Sequence, residues 1–149
     1  MKAYKTILFP TDFSQCSEQA IEEVCNLAQT LGAELHLLHV VEPIDIYSTR
    51  YGTEQTLYLD LMKEMRTGAN DDMTALKKNL AARGLHPVCA VIEGKPAEEI
   101  VKYAGDHSMS LVCMSTHGWS GFKHLLLGST TERVLRHAPC PVFVLRCTT

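Results

Sequence analysis

The sequence predicts an α/β protein built around a five-stranded parallel β-sheet with helices on both faces. Short apolar runs of strand length alternate with longer segments whose apolar residues recur at three- and four-residue spacing, the period of an amphipathic helix. One junction, between Ser110 and Val144, passes from an apolar run through glycine-containing residues into such a helix. Strands that alternate with helices pair in parallel through right-handed crossovers.

The first strand and helix are defined by the amino-terminal residues. Thr6–Pro10 is a short apolar run ending in proline, typical of a buried parallel strand. Ser17–Leu31 has apolar residues at helical spacing, Ser14 and Ser17 are candidates for its N-cap, and Gly32 stops it. Asp12 therefore lies at the carboxyl end of the first strand, where open α/β sheets bind ligands.

The second strand and the longest helix follow. Glu34–Val41 is predicted as a strand that Pro43 ends, and the residues from Glu42 to about Thr53 have no clean periodicity and are predicted as a loop lying over the ligand edge. Glu54–Arg83 has the spacing of a long helix, and Gly68 marks the place where it would break.

The remaining elements complete the alternation. His86–Glu93 is predicted as the third strand, Pro96 suits the first turn of the next helix, and Leu111–Ser115 is the fourth strand. Gly128–His137 is the last helix, which prolines stop, and Val142–Arg146 is the fifth strand. The inward-facing residues are predicted to include Ile100, Val101 and Ala104 in the third helix and Val134 and Leu135 in the last.

Composition excludes several classes of protein. A chain of 149 residues with 46% hydrophobic and 21% charged residues and a formal charge of −3 fits one ordinary soluble domain. A nucleic-acid-binding protein would show a basic patch, and none is evident. No apolar run has the length of a membrane span, and Pro10 and Asp12 interrupt the amino terminus too early for a signal peptide. We therefore predict a cytoplasmic protein without membrane or nucleic-acid partners.

The cysteines and histidines do not predict a disulfide framework or a metal site. Six cysteines include no C-x-x-C pair; Cys89 and Cys113 lie in apolar runs, and the last two are expected to be exposed. His36 and His39 are three residues apart on a strand, so they point to opposite faces and cannot share one metal. His117 and His124 lack a third ligand; His117 either donates to a phosphate or is solvent-exposed.

The junction between Ser110 and Val144 has the composition of an anion site. Its apolar residues end in small polar and glycine residues, and Gly128-Ser129 immediately precedes the last helix. A helix N-terminus presents unpaired backbone N–H groups and the positive end of the helix dipole, while glycine lets the backbone approach a ligand closely. The sequence therefore predicts phosphate binding at this junction.

The same residues resemble a known family. Thr116–Gly118 (THG), nine residues, Gly128-Ser129 and then ERVLRHAPCPVFVLR are similar to the carboxyl-terminal signature of the universal stress protein (UspA-like) family. Nucleotide-binding members have Gly, two residues, Gly, nine residues, then Gly-Ser or Gly-Thr. Gly118 and Gly128 match the second and third glycines, and Ser115 replaces the first. The resemblance extends over essentially the whole chain and implies a single domain, residues 1–149.

The resemblance implies a Rossmann-like sheet of strand order 3-2-1-4-5, of the adenine nucleotide alpha hydrolase type. It implies binding of ATP, or of ADP or AMP, with Mg²⁺ or Mn²⁺. Asp12 would accept hydrogen bonds from ribose or adenine-side groups, and the Val41 backbone amide would reach the adenine. The other implied binding residues are Pro10 and Thr11 beside Asp12, and Ser115, His117, Gly118, Gly128, Ser129 and Thr130 around the phosphates. A homodimer through Val142–Arg146 is also implied.

Other readings of the chain are weaker. Gly94-Lys95 lacks the preceding glycine and following Ser or Thr of a P-loop, and the loop at Gly118 is one position short of a serine-hydrolase elbow. An ATP pyrophosphatase requires a Ser- and Gly-rich loop after the first strand, and the residues found there, PTDFSQCS, do not supply one. With no general base or loop arginine evident, the sequence favours nucleotide binding with at most slow hydrolysis. The alternative is a dimeric interaction module of the same family that binds no nucleotide.

Overall fold

The computed structural model describes residues 3–45, 55–116 and 127–147, and it contains one five-stranded, all-parallel sheet of order β3-β2-β1-β4-β5. The strands are β1 (Thr6–Pro10), β2 (Glu34–Val41), β3 (Val88–Glu93), β4 (Leu111–Ser115) and β5 (Val142–Leu145). The helices are α1 (Gln15–Leu31), α2 (Gln55–Ala82), α3 (Pro96–Asp106) and α4 (Ser129–His137). The predicted fold class and strand order are confirmed.

Helices cover both faces of the sheet because the central strands are apolar on both sides. Ile7 and Phe9 pack under α1 and α2, whereas Leu8, between them, packs with α3 and α4 on the other face, and all three are 0% exposed. The two apolar faces of β1 thus sit in two separate cores. This arrangement fixes the sheet as the middle layer of three.

Ser14 and Gly32, two of the residues predicted to bound α1, are its N-cap and C-cap. Ser14 is the N-cap, and its Oγ accepts a hydrogen bond from the Ser17 N–H at 3.3 Å. Gly32 ends the helix in the left-handed conformation, with φ of 60°, which glycine adopts at no steric cost. The helix therefore begins at Gln15 rather than at Ser17.

Three other predictions need correction. Gly68 does not break α2, which runs without interruption, because an isolated helical glycine costs only about 1 kcal/mol relative to alanine. Leu135 was predicted to face inward but is 41% exposed, whereas Val134 beside it is 0% exposed. β3 begins at Val88, after Pro87, because proline has no N–H to donate to a strand ladder.

The strand order places a crevice between the carboxyl ends of β1 and β4. From β1 the chain continues to β2 on one side, and the later strand β4 pairs with β1 on the other side. The two connections therefore diverge to opposite faces of the sheet at this point. Such a topological switch point is where open α/β sheets bind their ligands.

Candidate functional site

A cavity of about 670 Å³ opens at this crevice. The ends of β1, β2 and β4 form its floor, the first turn of α4 forms one side and the middle of α2 forms the opposite wall. Its volume lies within the range of about 300–1,000 Å³ that is usual for small-molecule sites.

The structure brings together most of the residues predicted for the site. The predicted residues that line the cavity are Pro10, Thr11, Asp12, Val41, Ser115, Gly128, Ser129 and Thr130. His117 and Gly118 lie outside the described residues. Ligand binding by each of these residues stays a prediction.

The turn after β1 is held by hydrogen bonds that converge on Asp12. Its Oδ1 accepts from the Ser14 N–H at 3.0 Å and from the Ser17 hydroxyl at 2.7 Å. The Thr11 hydroxyl oxygen accepts from the Phe13 N–H at 3.1 Å, and Phe13 has φ of 58°, an uncommon value for a residue with a side chain. The Asp12 carboxylate is thus fixed at the floor of the cavity before any ligand arrives.

His39 is a lining residue that sequence reasoning did not identify. Its Nδ1 donates to the Thr11 carbonyl oxygen at 2.8 Å, and its ring packs against Phe13 with 4.7 Å between ring centroids. His36 faces the other side of the sheet, where its Nδ1 lies 3.0 Å from the Tyr103 hydroxyl. The two histidines therefore point to opposite faces, as the strand period predicts.

The junction between β4 and α4 supplies backbone N–H groups that have no acceptor among the residues the structure describes. The first intrahelical hydrogen bond of α4 joins the Glu132 N–H to the Gly128 carbonyl at 3.0 Å, so the N–H groups of residues 129–131 have no acceptor within the helix. Gly128 is the N-cap and has no side chain to satisfy them. This helix end differs from that of α1, which Ser14 caps, and it faces the cavity.

Two hydrogen bonds hold this junction against β4. The Gly128 N–H donates to the Thr116 carbonyl at 2.7 Å, and the Thr131 hydroxyl donates to the Ser115 carbonyl at 3.0 Å. The N-terminus of α4 is consequently anchored to the end of the strand beside β1. The first turn of α4 and the Asp12 carboxylate therefore line the same cavity from separate elements.

Val41 contributes to the floor from the end of β2. Its carbonyl accepts from the Gly94 N–H at 3.1 Å, in register with β3. Because the N–H and C=O of a strand residue point to the same side, the Val41 amide is also directed toward β3. The side chain, 2% exposed, is the part of Val41 best placed to form an apolar wall.

The wall formed by α2 was also missed by sequence reasoning. It consists of Met65, Gly68, Ala69 and Asp72. Gly68 and Ala69 are small, and a Cβ added at Gly68 would meet no atom within 4 Å, so the helix leaves open space there. The adjacent small residues Gly68 and Ala69 were the signal in the sequence that could have indicated this wall. Helical periodicity alone does not reveal which strand ends a helix faces.

The charge of the cavity is acidic. Asp12, Glu42 and Asp72 line it, and none of the described lining residues is Lys or Arg. In the portion of the chain that the structure describes, no three His, Cys, Asp or Glu side chains are grouped closely enough to hold a metal. Among the described lining residues, the groups that could bind an anion are therefore backbone N–H groups and hydroxyls, and a cation would balance the negative charge of the carboxylates.

Comparisons with known proteins agree on one family. Residues 3–146 match the model of the universal stress protein family. Universal stress protein MJ0577 of Methanocaldococcus jannaschii is 33% identical over 154 residues, covering 96% of this chain and 95% of that protein. None of the helices in the described part of the chain combines the length and the apolar character of a membrane span.

Solved structures of similar proteins share the fold. A structure of MJ0577 has a TM-score of 0.86 at 33% identity and covers 99% of both chains. UspA from Lactobacillus plantarum has a TM-score of 0.85 at 29% identity, covering 98% of this chain and all of that one. Two more distant structures hold nucleotides. A universal stress protein in complex with cAMP has a TM-score of 0.64 at 22% identity and covers 99% of this chain and 100% of that one. A universal stress protein from Archaeoglobus fulgidus in complex with dAMP has a TM-score of 0.67 at 16% identity and covers 96% of this chain and 98% of that one.

Proposed function

This chain belongs to the universal stress protein family, and from that premise we propose that it is a cytoplasmic ATP-binding module of the family, a single domain that binds the nucleotide without rapid hydrolysis. The site is the cavity between the carboxyl ends of β1 and β4. ADP and AMP are the alternative ligands.

The observation that carries this proposal is the uncapped N-terminus of α4 facing the cavity. Unpaired N–H groups combined with the positive end of a helix dipole bind phosphate oxygens. Gly128 adds no side chain at the point of closest approach, and Ser129 and Thr130 supply hydroxyls. Adenine nucleotides bound to two proteins of this fold support the choice of ligand class.

The polarity of the cavity indicates where the ribose and the adenine of the nucleotide would bind. The Asp12 carboxylate is the acceptor for ribose hydroxyls, because its position is fixed by Ser14 and Ser17. The apolar side chain of Val41 and the small wall residues of α2 suit the planar adenine. His117 and Gly118, the remaining residues of the family motif, complete the phosphate side of the proposed site.

A divalent cation is the natural companion of the phosphates in this cavity. Asp12, Glu42 and Asp72 would repel a bare triphosphate, and no Lys or Arg among the described lining residues offsets them. Mg²⁺ or Mn²⁺ is usually held by substrate phosphates with water and one or two carboxylates rather than by a protein cage. When bound, the cation would supply the positive charge that these residues lack.

The proposal is tested by identifying the ligand directly. The protein is purified without added nucleotide, denatured, and its supernatant analysed by mass spectrometry; the emptied protein is then titrated calorimetrically with ATP, ADP, AMP and GTP, each with and without Mg²⁺. We expect saturable adenine nucleotide binding that GTP does not reproduce and that Mg²⁺ strengthens for ATP. Absence of heat with every adenine nucleotide would support the interaction module instead.

Replacing Asp12 separates its ligand role from its role in the turn. Asp12→Ala removes the carboxylate and should weaken ATP binding by about 10- to 100-fold, because hydrogen bonds to charged groups contribute about 1.5–3 kcal/mol. Asp12→Asn retains one carbonyl oxygen for Ser14 and Ser17 but replaces the second acceptor with a donor. We expect Asp12→Asn to lose affinity while staying folded, which circular dichroism checks. If Asp12→Asn bound ATP with wild-type affinity, the Asp12 carboxylate would have no part in binding the ligand.

Ser115 stands where nucleotide-binding relatives have glycine, and two substitutions distinguish its hydroxyl from its Cβ. Because phosphate binding here depends on neutral donors, we expect Ser115→Gly and Ser115→Ala both to weaken ATP binding, by about fivefold to tenfold. If the Cβ crowds the ligand instead, Ser115→Gly would bind more tightly and Ser115→Ala would be unchanged. Calorimetric titration distinguishes the two cases, because Ser115→Gly weakens ATP binding in the first case and strengthens it in the second.

A further inference from the structure

Two cysteines from opposite ends of the chain meet beside the first turn of α1. Cys16 is the second residue of that helix and is 7% exposed, and Cys147 follows β5 and is half-buried. Interaction with the Cys16 thiol is among the causes that raise the pKa of Cys147. The Cys147 Sγ also lies 3.5 Å from Oε1 of Gln19, one turn further along α1. Both cysteines are free thiols in this structure.

The backbone holds both thiols in place. The Thr116 N–H donates to the Leu145 carbonyl at 3.0 Å, and the Cys147 N–H donates to the Thr116 hydroxyl oxygen at 3.1 Å. The segment after β5 is therefore tied to the end of β4. Cys16 is fixed by the first turn of a capped helix. The backbone thus places the Cys147 thiol beside the first turn of α1, the turn that carries Cys16.

We propose that Cys16 and Cys147 form a reversible intramolecular disulfide when the protein meets a peroxide. The thiolate of the more exposed Cys147 attacks a peroxide oxygen, so that an S–O bond forms and the O–O bond breaks, giving a sulfenic acid and hydroxide, which is protonated to water. The Cys16 thiol then attacks the sulfenyl sulfur, the S–S bond forms and a second water leaves. Two thiols lose two electrons in total, and hydrogen peroxide is reduced to two waters.

The four other described cysteines are less suited to this chemistry. Cys89 lies in β3, at the opposite edge of the sheet from β5 and Cys147. Cys25 and Cys113 are both 0% exposed, and burial raises the pKa of Cys113 to about 12. Cys140 packs with the core on the opposite face of the sheet, away from α1. The described polar groups around Cys147 are the Cys16 thiol, the Gln19 amide and the Thr116 hydroxyl.

The same surroundings make the reaction slow at neutral pH. Burial, followed by interaction with the Cys16 thiol, raises the pKa of Cys147 to about 11. The reactive thiolate is therefore scarce at pH 7, and its fraction rises about tenfold for each pH unit below that pKa. The thiols persist in a reducing cytoplasm and are oxidised only when peroxide accumulates.

The experiment maps the disulfide by peptide mass. Wild-type protein is treated with hydrogen peroxide at pH 7.5 and pH 8.5, quenched with N-ethylmaleimide and digested without reduction by proteases that cleave after Glu and after Arg or Lys. Glu18 separates Cys16 from Cys25, and Arg146 separates Cys147 from Cys140, so each cysteine falls on its own peptide. We expect a Cys16–Cys147 cross-link that dithiothreitol removes and that forms about tenfold faster at pH 8.5.

Three further measurements decide the proposal. Cys147→Ser should abolish the cross-link, whereas Cys140→Ser, on the opposite face of the sheet, should leave it unchanged. Oxidised wild type should melt about 5 °C or more above the reduced protein, because the bond closes nearly the whole chain into a loop. A different pairing, a disulfide between two molecules, or six alkylated thiols after peroxide has fully oxidised free glutathione under the same conditions would each overturn the proposal.

Discussion

Gly128→Val is expected to weaken ATP binding at least about 100-fold, equivalent to about 2.7 kcal/mol. Gly128 is the N-cap of α4 and lines the cavity where the unpaired N–H groups begin. A valine there adds a branched side chain at the point where a phosphate oxygen must approach the backbone. Calorimetric titration with ATP and Mg²⁺ measures the loss.

The same substitution is not expected to disturb the fold. Gly128 has φ of −68° and ψ of 152°, which valine adopts readily. Its N–H, bonded to the Thr116 carbonyl, is retained. The matched control is Gly105→Val in α3, where an added Cβ would meet no atom within 4 Å. Gly105→Val should bind ATP like wild type, and equal affinity in Gly128→Val would place the phosphates elsewhere.

The strands could be predicted because each is short, apolar and bounded by a strong signal. β1 and β2 are followed by proline or end in it, and β4 ends where small polar residues begin. Their residues are buried on both faces, which removes any ambiguity about which side faces the core. The strand order itself came from the family resemblance, since periodicity does not determine which strands are neighbours.

The helices were located correctly, but their buried faces were less predictable. In α2, Leu57, Leu61 and Met65 continue the helical spacing of Met73 and Leu80, yet the first three are 37–50% exposed and the last two are 4% and 1% exposed. In the amino-terminal half the buried residue is Met62, which packs with Val41 of β2, whereas the predicted stripe there is partly exposed. A helical stripe in the sequence shows that one face is apolar and does not show how far the sheet beneath it extends.

The candidate site was predicted in part for a related reason. Asp12, which follows β1, and Gly128, which precedes the helix after β4, could be assigned to the ligand edge because parallel strands share one carboxyl edge. The α2 wall and His39 depend on packing between distant segments and on one hydrogen bond to the Thr11 carbonyl. The hydrogen bond from the Gly94 N–H to the Val41 carbonyl could likewise be predicted only if the register of β2 with β3 were known.

We also propose a homodimer through β5, and its edge has the features that pairing requires. β5 is the outermost strand, and Phe143 is 50% exposed. The carbonyls of Pro141 and Leu145 accept from β4, so by the two-residue period of a strand the N–H and C=O of Val142 and Val144 point outward. Unpaired outward groups on an apolar edge favour an antiparallel contact with a second copy about a two-fold axis.

Val144→Pro is therefore expected to raise the dimer dissociation constant by at least about 100-fold. The substitution removes one outward N–H from each copy, so that two ladder hydrogen bonds are lost and two carbonyls lose their donors, at about 1.5 kcal/mol each. It should leave the pairing with β4 intact, because the Val144 N–H does not face that strand. Val144→Ala shortens the side chain but keeps the N–H and should remain dimeric. Sedimentation velocity at micromolar concentration, with circular dichroism as a check of folding, decides the matter: a monomeric wild type, or a folded Val144→Pro that stays dimeric, would rule out the β5 interface.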